Sequence, residues 1–358
     1  MKFSPPLWSL VAPVLAWLIY FVKPGKLEFI FAFLLCGFLV FSIISAVHHA
    51  EVIAHRVGEP FGTMVLALAV TTIEVSLIVS LMLAGGKSTS AIARDTVFAA
   101  VMIIITGMIG LCLLIGGTRY KEQLFEKRGV YAALLTLTAI TVLTLVLPNY
   151  TTSAPGPYYT SSQLIFIAII SLVLYITFVM FQSVSHRDYF LPKETNGNGD
   201  SHANPPGKIT TAISSIALFA CLGVVVLISK TISPIIEDGI DAVGAPKSLV
   251  GIIIAAVILL PEGIAAIRAA RKNRLQTSLN LALGSALASI GLTIPAVAIV
   301  SLVQGFPVTL GIDSKSTLLM ILSLYLTMLS FGSGRTNLLQ GVVLLVIFAI
   351  YLFTTIIP

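Results

Sequence analysis

Long apolar segments alternate with short polar loops along the whole chain. A helix needs about 20 apolar residues to cross the hydrocarbon of a bilayer, and eleven segments have or approach that length. The predicted spans are residues 6–22, 28–47, 62–84, 96–117, 130–147, 161–182, 209–229, 248–267, 277–303, 316–331 and 336–356. The pattern therefore predicts an all-α polytopic membrane protein with about eleven transmembrane helices.

Composition excludes a water-soluble class. Hydrophobic residues make up 57% of the chain and charged residues 10%, with a mean hydropathy of +1.02. A soluble domain carries about 25% charged residues, so this chain could not cover a water-facing surface, and membrane lipid is its expected surroundings. The net charge of +6 comes from basic residues in the predicted loops. It gives no support to a nucleic-acid partner.

The basic residues also predict an orientation. Placing the N-terminus in the cytoplasm puts fourteen of the 21 Lys and Arg residues inside and seven outside. Cytoplasmic loops carry the excess of basic residues, so we expect the N-terminus inside and the C-terminus outside. No small-residue cleavage site follows the first span, which is therefore not expected to be a signal peptide. The three cysteines, Cys36, Cys112 and Cys221, all lie in apolar segments and do not indicate a disulfide framework.

The longest polar stretch, residues 186–208, divides the apolar segments into six and five. Its Asn, Gly and Pro content predicts a flexible cytoplasmic linker. Spans two to six begin outside and spans seven to eleven begin inside, which matches the inverted repeats of many secondary transporters. We therefore predict an N-terminal transmembrane helix at 1–26, a first five-helix repeat at 27–185 and a second, inverted repeat at 209–358.

A short motif recurs ahead of one span in each predicted repeat. The motif is Val57-Gly58-Glu59-Pro60 before the third span and Val243-Gly244-Ala245-Pro246 before the eighth. In both halves a basic loop follows that span, and then a span rich in small residues, which let helices approach closely. The shared order and spacing support the repeat.

One glutamate lies inside an otherwise uncharged apolar segment of each predicted repeat. Glu74 is at the centre of residues 64–84, and Glu262 is the only charge in residues 248–267. A carboxylate at bilayer depth is costly and usually marks an ion or proton pathway. The alternatives are a protonated carboxyl bonded within a helix interface and, for Glu262, a side chain that reaches toward the membrane surface. Two such residues in related segments favour two halves of one cation and proton site near the midplane.

Neutral oxygens near these carboxyls are candidate cation ligands, because a hard cation takes oxygen ligands. Pro261 supplies no N–H, which leaves the Val257 carbonyl available beside Glu262. Four hydroxyls are further candidates: Thr71, Thr72, Ser285 and Ser289. The alternatives are a plain helix kink at Pro261 and hydroxyls that bond back to their own helices.

Other polar residues lie near the ends of the spans. Residues 48–55, HHAEVIAH, lack the spacing of a zinc-protease HExxH motif. Histidine titrates near neutral pH, so His48 and His55 are candidates for a pH-sensing or metal-binding role, and ordinary interfacial polar residues are the alternative. Glu59 and Asp95 are candidate vestibule acids that attract cations, with ordinary solvated charges as the alternative.

Three segments carry a family resemblance: AVHHAEVIAHRVGEPFGTMVLALAVTTIEVSLI, LLPEGIAAIRAARKNRLQTSLNLALGSALASIGLTIPAV and SFGSGRTNLLQG. Together they resemble the bacterial ChaA-type calcium/proton antiporters, of the cation/proton exchanger (CAX) branch of the calcium/cation antiporter (CaCA) superfamily. The resemblance implies eleven spans, a bacterial inner-membrane location and an essential acid in each repeat, at Glu74 and Glu262. It also places a small-residue motif at Gly284-Ser285. The linker departs from an acidic pattern, with three acidic and three basic residues.

We therefore predict a secondary active antiporter that exports Ca²⁺ in exchange for H⁺ by alternating access, with cation and protons competing for Glu74 and Glu262. Transport of Na⁺ or K⁺ at the same site is the next candidate, and a cation channel is less favoured because channels rarely have inverted repeats. An enzyme is not expected, because the spans contain neither an HExxH motif nor a deep aspartate pair. No resident cofactor is expected. The sequence leaves the oligomeric state open, a homo-oligomer included.

Overall fold

A computed structural model describes residues 6–22, 29–58, 61–85, 89–191, 206–243, 246 and 248–357. Within these residues the chain forms eleven helical segments, one at each predicted apolar span. They are α1 Leu7–Phe21, α2 Phe29–Val57, α3 Phe61–Gly85, α4 Ile92–Tyr120, α5 Lys127–Tyr150, α6 Ser161–Ser185, α7 Lys208–Val243, α8 Ser248–Arg271, α9 Leu275–Gln304, α10 Ser314–Ser330 and α11 Leu338–Ile356.

Length and hydropathy match a membrane environment. Nine of the described helices are long and apolar enough to cross a bilayer, and the two shorter ones, α1 and α10, are also apolar. Many large apolar side chains are exposed on the outer faces of the helices, which is stable in lipid but not in water. The prediction of an all-α polytopic membrane protein is confirmed.

Two helices extend well beyond their predicted spans. The hydropathy pattern predicts that the second span ends at residue 47 and the seventh at 229, whereas α2 continues to Val57 and α7 to Val243. The extension of α2 carries the whole of residues 48–55, and α7 continues through Pro234. A hydropathy window ends at the polar residues of these turns, whereas the helical backbone continues through them.

The helices form two compact units. The first contains α1, α2, α3 and α7, and the second contains α4 to α6 and α8 to α11. The division of the chain into repeats at 27–185 and 209–358 stays a prediction. Most of the predicted linker, residues 192–205, lies outside the described residues, as does part of each recurring motif.

Irregular turns interrupt three helices of the second unit. Single π-helical turns occur at Ile103–Met108 in α4, Val142–Val146 in α5 and Phe181–Ser185 in α6. The turn in α4 is central: it contacts α8, α9, α10 and α11. A short antiparallel ribbon, β1 Glu122–Leu124 with β2 Arg335–Asn337, joins the loop after α4 to the loop before α11.

Candidate functional site

Glu74 is buried in the first unit. It lies near the middle of α3, which packs against α2 and α7, and its side chain is 4% exposed. Except for Thr71 and Thr72, its neighbours along α3 are almost all apolar. Removing a carboxylate from water to such a place is costly unless another interaction compensates. The structure therefore gives Glu74 the burial that the sequence predicts for an ion-binding carboxyl, and its role stays a prediction.

Thr71 and Thr72 both bond back to their own helix. The Thr71 hydroxyl donates to the Ala67 carbonyl at 2.9 Å, and the Thr72 hydroxyl donates to the Leu68 carbonyl at 2.7 Å. Thr71 is buried, whereas Thr72 is exposed. Each hydroxyl has used its proton and keeps lone pairs that can accept from or coordinate another group. A ligand role is therefore chemically open to both residues and stays a prediction.

Glu262 lies on α8 in the second unit, directly after Pro261. It is half-buried, and α8 remains helical through the proline. Because Pro261 has no N–H, the Val257 carbonyl receives no helical hydrogen bond from it. This carbonyl lies one turn before Glu262, as the sequence predicts, and its part in cation binding stays a prediction.

Two glycines on α8 face α4, and at one of them the helices approach closely. A Cβ added at Gly251 would lie 2.7 Å from the carbonyl carbon of Asp95, so only glycine fits against that backbone. Next to Glu262, a Cβ at Gly263 would lie 3.5 Å from the Cε of Met108, the last residue of the π-helical turn. The π-helical turn of α4 is therefore a neighbour of the Glu262 region. Single π turns are frequent at functional sites, and hydropathy gives no signal for them.

Several hydroxyl side chains of α9, the candidates Ser285 and Ser289 among them, are turned toward the protein interior. Ser278, Ser289 and Thr293 are each at most 1% exposed, and Ser285 is half-buried. Ser278 donates its hydroxyl proton to the Ala266 carbonyl of α8 at 2.8 Å. This bond joins α8 and α9 one turn beyond Glu262, a positioning contact that the sequence analysis missed. The ligand roles of Ser285 and Ser289 stay predictions.

Asp95 is neither exposed nor isolated. Its carboxylate is 2.8 Å from the Arg94 guanidinium, its side chain is 15% exposed, and Arg94 also donates to the Gly311 carbonyl at 3.2 Å. Arg94 lines an open cavity of about 580 Å³ together with residues that include Asn149 and Asp313. The expectation of a plainly solvated charge at Asp95 does not fit this ion pair, and the vestibule role stays a prediction. Glu59 lies outside the described residues.

Residues 48–55 of α2, which contain three histidines, include both exposed and buried side chains. Glu51 and His55 are exposed, His48 is half-buried with its ring 5.7 Å from that of Trp8, and His49 is fully buried. Over the described ranges, no group of three or more His, Cys, Asp or Glu side chains could hold a metal ion. His49 has no role predicted from the sequence, yet both of its ring nitrogens have hydrogen-bond partners.

The fold and its buried carboxyls define a class. An all-α membrane protein with single carboxyls inside apolar helices is typical of proteins that carry ions or protons across a bilayer. A family model described as sodium/calcium exchanger protein matches residues 28–184 and 213–357. The chain belongs to the sodium/calcium exchanger protein family.

Curated relatives agree with this assignment. The chain is 42% identical to y4hA of Sinorhizobium fredii, over 99% of this chain and 97% of the relative. It is 33% identical to the sodium-potassium/proton antiporter ChaA of Escherichia coli, over 97% of this chain and 95% of that protein. A Ca²⁺/H⁺ antiporter of Aphanothece halophytica is 24% identical over 82% and 81%. The predicted resemblance to ChaA-type antiporters is confirmed.

Solved structures show the same fold. The structure of native YfkE matches with a TM-score of 0.73 and 20% identity, over 98% of both chains. The H⁺/Ca²⁺ exchanger CAX matches with a TM-score of 0.71 and 17% identity, over 97% of this chain and 87% of that chain. These matches support the all-α membrane fold over almost the entire chain.

Proposed function

We propose that this chain is a secondary active antiporter that exports Ca²⁺ across the bacterial inner membrane in exchange for H⁺. The observation that carries the proposal is the buried carboxyl of Glu74, 4% exposed inside an apolar helix of an exchanger-family protein. Relatives named as Ca²⁺/H⁺ antiporters support the same exchange. The protein is then a transporter with no catalytic residue and no resident cofactor, and the cation is its cargo.

The exchange follows from competition for carboxylates. Glu74 and Glu262 together balance the charge of either one divalent cation or two protons, so both loads are neutral. An empty, doubly charged pair is expensive to enclose away from water, which suppresses the return of an unloaded carrier. The joint use of the two residues rests on the sequence repeat, and Val257, Thr71, Thr72, Ser285 and Ser289 are the proposed supporting oxygens.

Exchange of Na⁺ or K⁺ for H⁺ is the second candidate. It is favoured by one observation, the name of the 33% identical relative from Escherichia coli, a sodium-potassium/proton antiporter. A monovalent ion on two carboxylates leaves one negative charge, so one glutamate would have to keep its proton. The same residues therefore serve both candidates, with a different protonation of the loaded state.

Reconstituted vesicles distinguish these functions. The purified chain is placed in proteoliposomes with an imposed pH gradient, and Ca²⁺, Na⁺ and K⁺ are added in turn. We expect Ca²⁺ to dissipate the gradient. Dissipation by Na⁺ or K⁺ with no response to Ca²⁺ would favour the second candidate. Cation current that leaves the gradient unchanged would instead identify a channel and contradict both.

A further inference from the structure

A buried polar cluster joins three helices of the first unit. Its members are Ser9 on α1, Ser45 and His49 on α2, and Ser214 on α7, and all four are 0% exposed. Polar groups in a water-free interior are stable only when their hydrogen bonds are made. The hydrogen bonds of this cluster therefore determine how the three helices are held together.

A proline in α1 supplies the central acceptor. Pro13 lies four residues after Ser9 and has no N–H, so the Ser9 carbonyl has no helical donor at that position. This carbonyl instead accepts from the Ser45 hydroxyl and from Nε2 of His49, the latter at 3.1 Å. The carbonyl that Pro13 leaves without a helical donor is thereby bonded to α2.

The partners of His49 fix its tautomer. A carbonyl can only accept, so Nε2 must carry a proton, and in the neutral ring Nδ1 is then an acceptor. The Ser214 hydroxyl lies 3.3 Å from Nδ1 and can donate to it. Both ring nitrogens of neutral His49 therefore have hydrogen-bond partners: the Ser9 carbonyl of α1 and the Ser214 hydroxyl of α7.

A proton on Nδ1 changes this arrangement. Ser214 must turn its own proton away to become an acceptor, and a positive charge appears among neutral serines. The nearest described ring that could share the charge is His48, 5.8 Å away and itself basic. Enclosing an uncompensated charge is costly, and that cost falls when water enters. Water can enter only if α1 or α7 moves away from α2.

Ionisable groups on the neighbouring helices complete the electrostatic surroundings. Those whose side chains the structure describes are Tyr20 on α1, Cys36, His48, Glu51, His55 and Arg56 on α2, Glu74 on α3, and Lys208, Cys221 and Lys230 on α7. The Cys221 thiol lies 3.5 Å from the Ser45 hydroxyl of the cluster. The hydrogen-bond partners of His49 itself are the Ser9 carbonyl and the Ser214 hydroxyl.

We propose that His49 is a proton-binding site separate from Glu74 and Glu262, whose neutral form docks α1 and α7 on α2 and whose protonation releases α1. The site goes beyond the proposed antiport, because it senses pH without holding the cation. Acidification then loosens one contact in particular, the bond from the Trp17 indole to the Ala220 carbonyl of α7, 3.0 Å long in the docked form.

Tryptophan fluorescence tests this directly, because both tryptophans of the chain lie on α1. Trp8→Phe leaves Trp17 as the only tryptophan. The full-length variant in detergent is titrated from about pH 8 to about pH 5, the range in which histidine changes charge. We expect the Trp17 emission to shift to longer wavelength and to become more accessible to a water-soluble quencher as the pH falls.

Matched variants assign the transition. His49→Gln in this background keeps a donor for the Ser9 carbonyl and takes up no proton, so the transition is lost. His49→Asn, which instead reproduces the Nδ1 position, serves if the Gln variant does not accumulate. His48→Gln is the control and keeps the transition. Emission that does not change with pH, or an unchanged transition in the His49 variants, would overturn the proposal. Neither readout depends on cation transport, so failure of the proposed antiport would be seen separately.

Discussion

Glu74 and Glu262 have different surroundings, although the sequence presents them as equivalents. Glu74 is almost fully buried on an uninterrupted helix, whereas Glu262 is half-buried directly after a proline. Because Glu74 is further from water, leaving its charge without a bound cation or proton costs more free energy. The carboxyl beside Pro261 has the additional backbone oxygen. Both residues take part in binding the cation and the protons, and we expect their contributions to be unequal.

Pro261 gives the first prediction at this scale. Pro261→Ala restores an N–H to the Val257 carbonyl and removes that oxygen from the cation. We expect a raised KM for the cation in proteoliposomes together with higher thermal stability, because a proline inside a helix costs about 3 kcal/mol relative to alanine. Pro234→Ala on α7 is the control, which gains stability without a change in KM. An unchanged KM in Pro261→Ala would exclude the Val257 carbonyl as a ligand.

A second prediction concerns the close approach of α8 to α4 at Gly251. Gly251→Ala places a Cβ against the Asp95 backbone, 2.7 Å from its carbonyl carbon, so α8 must move away from α4. Overpacking of this kind costs about 1–3 kcal/mol, and we expect a lower unfolding midpoint in detergent and slower exchange. Gly37→Ala is the control, since a Cβ there meets nothing within 4 Å. Wild-type stability in Gly251→Ala would show that the two helices tolerate wider spacing.

These residues also show what a sequence can reveal about the site. Glu74 and Glu262 are predictable because a lone charge in an apolar segment is visible without knowledge of the fold. The role of Gly251 cannot be predicted in this way, because the Asp95 backbone that it contacts is distant along the chain. The contacts of His49 are unpredictable for the same reason. The Ser9 carbonyl that accepts from its ring and the Ser214 hydroxyl that can donate to it belong to other helices.

At the scale of elements, hydropathy predicts where helices exist better than where they end. All eleven described helices lie at predicted spans, but α2 and α7 run on through polar turns. In α2, Arg56 of the polar turn donates to the carbonyl of Pro206, just before α7, at 3.0 Å. The π-helical turn of α4 was equally unpredictable, because one extra residue in a buried helix leaves the apolar pattern unchanged.

The bond between α8 and α9 is testable. Ser278→Ala removes the hydroxyl that donates to the Ala266 carbonyl and leaves that link unmade. We expect a loss of about 1 kcal/mol, measured as a lower unfolding midpoint, and a reduced cation affinity because Glu262 is less firmly placed. Ser323→Ala is the control, since its hydroxyl bonds only within its own helix, to Leu319. Equal effects of the two variants would show that the bond from Ser278 to Ala266 does not position Glu262.

At the scale of the whole molecule, the two compact units do not follow the order of the chain. The first takes helices from both predicted repeats, α3 from one and α7 from the other. The inverted repeat is inferred from the predicted orientation and a short motif. Contacts within each unit do not test it. Orientation in the membrane is consequently the property of the whole chain that most needs a direct measurement.

Single introduced cysteines measure that orientation. The native thiols interfere little, because Cys112 and Cys221 are buried and Cys36 is half-buried. Thr152→Cys and Lys272→Cys both place a thiol at an exposed loop position. With an impermeant thiol reagent added to intact cells, we expect Thr152→Cys to be labelled and Lys272→Cys to be labelled only after lysis. The reverse pattern would invert the predicted topology.

The central claim is that cation and protons compete for Glu74 and Glu262. The most direct measurement is cation-dependent dissipation of a pH gradient by Glu74→Gln and Glu262→Gln, each reconstituted in proteoliposomes beside the exposed control Glu51→Gln. The amide keeps the size of the side chain but cannot bind a proton or carry a charge. We predict that both single variants lose proton-coupled cation flux while the control retains it. Near-wild-type exchange in both variants would contradict the account.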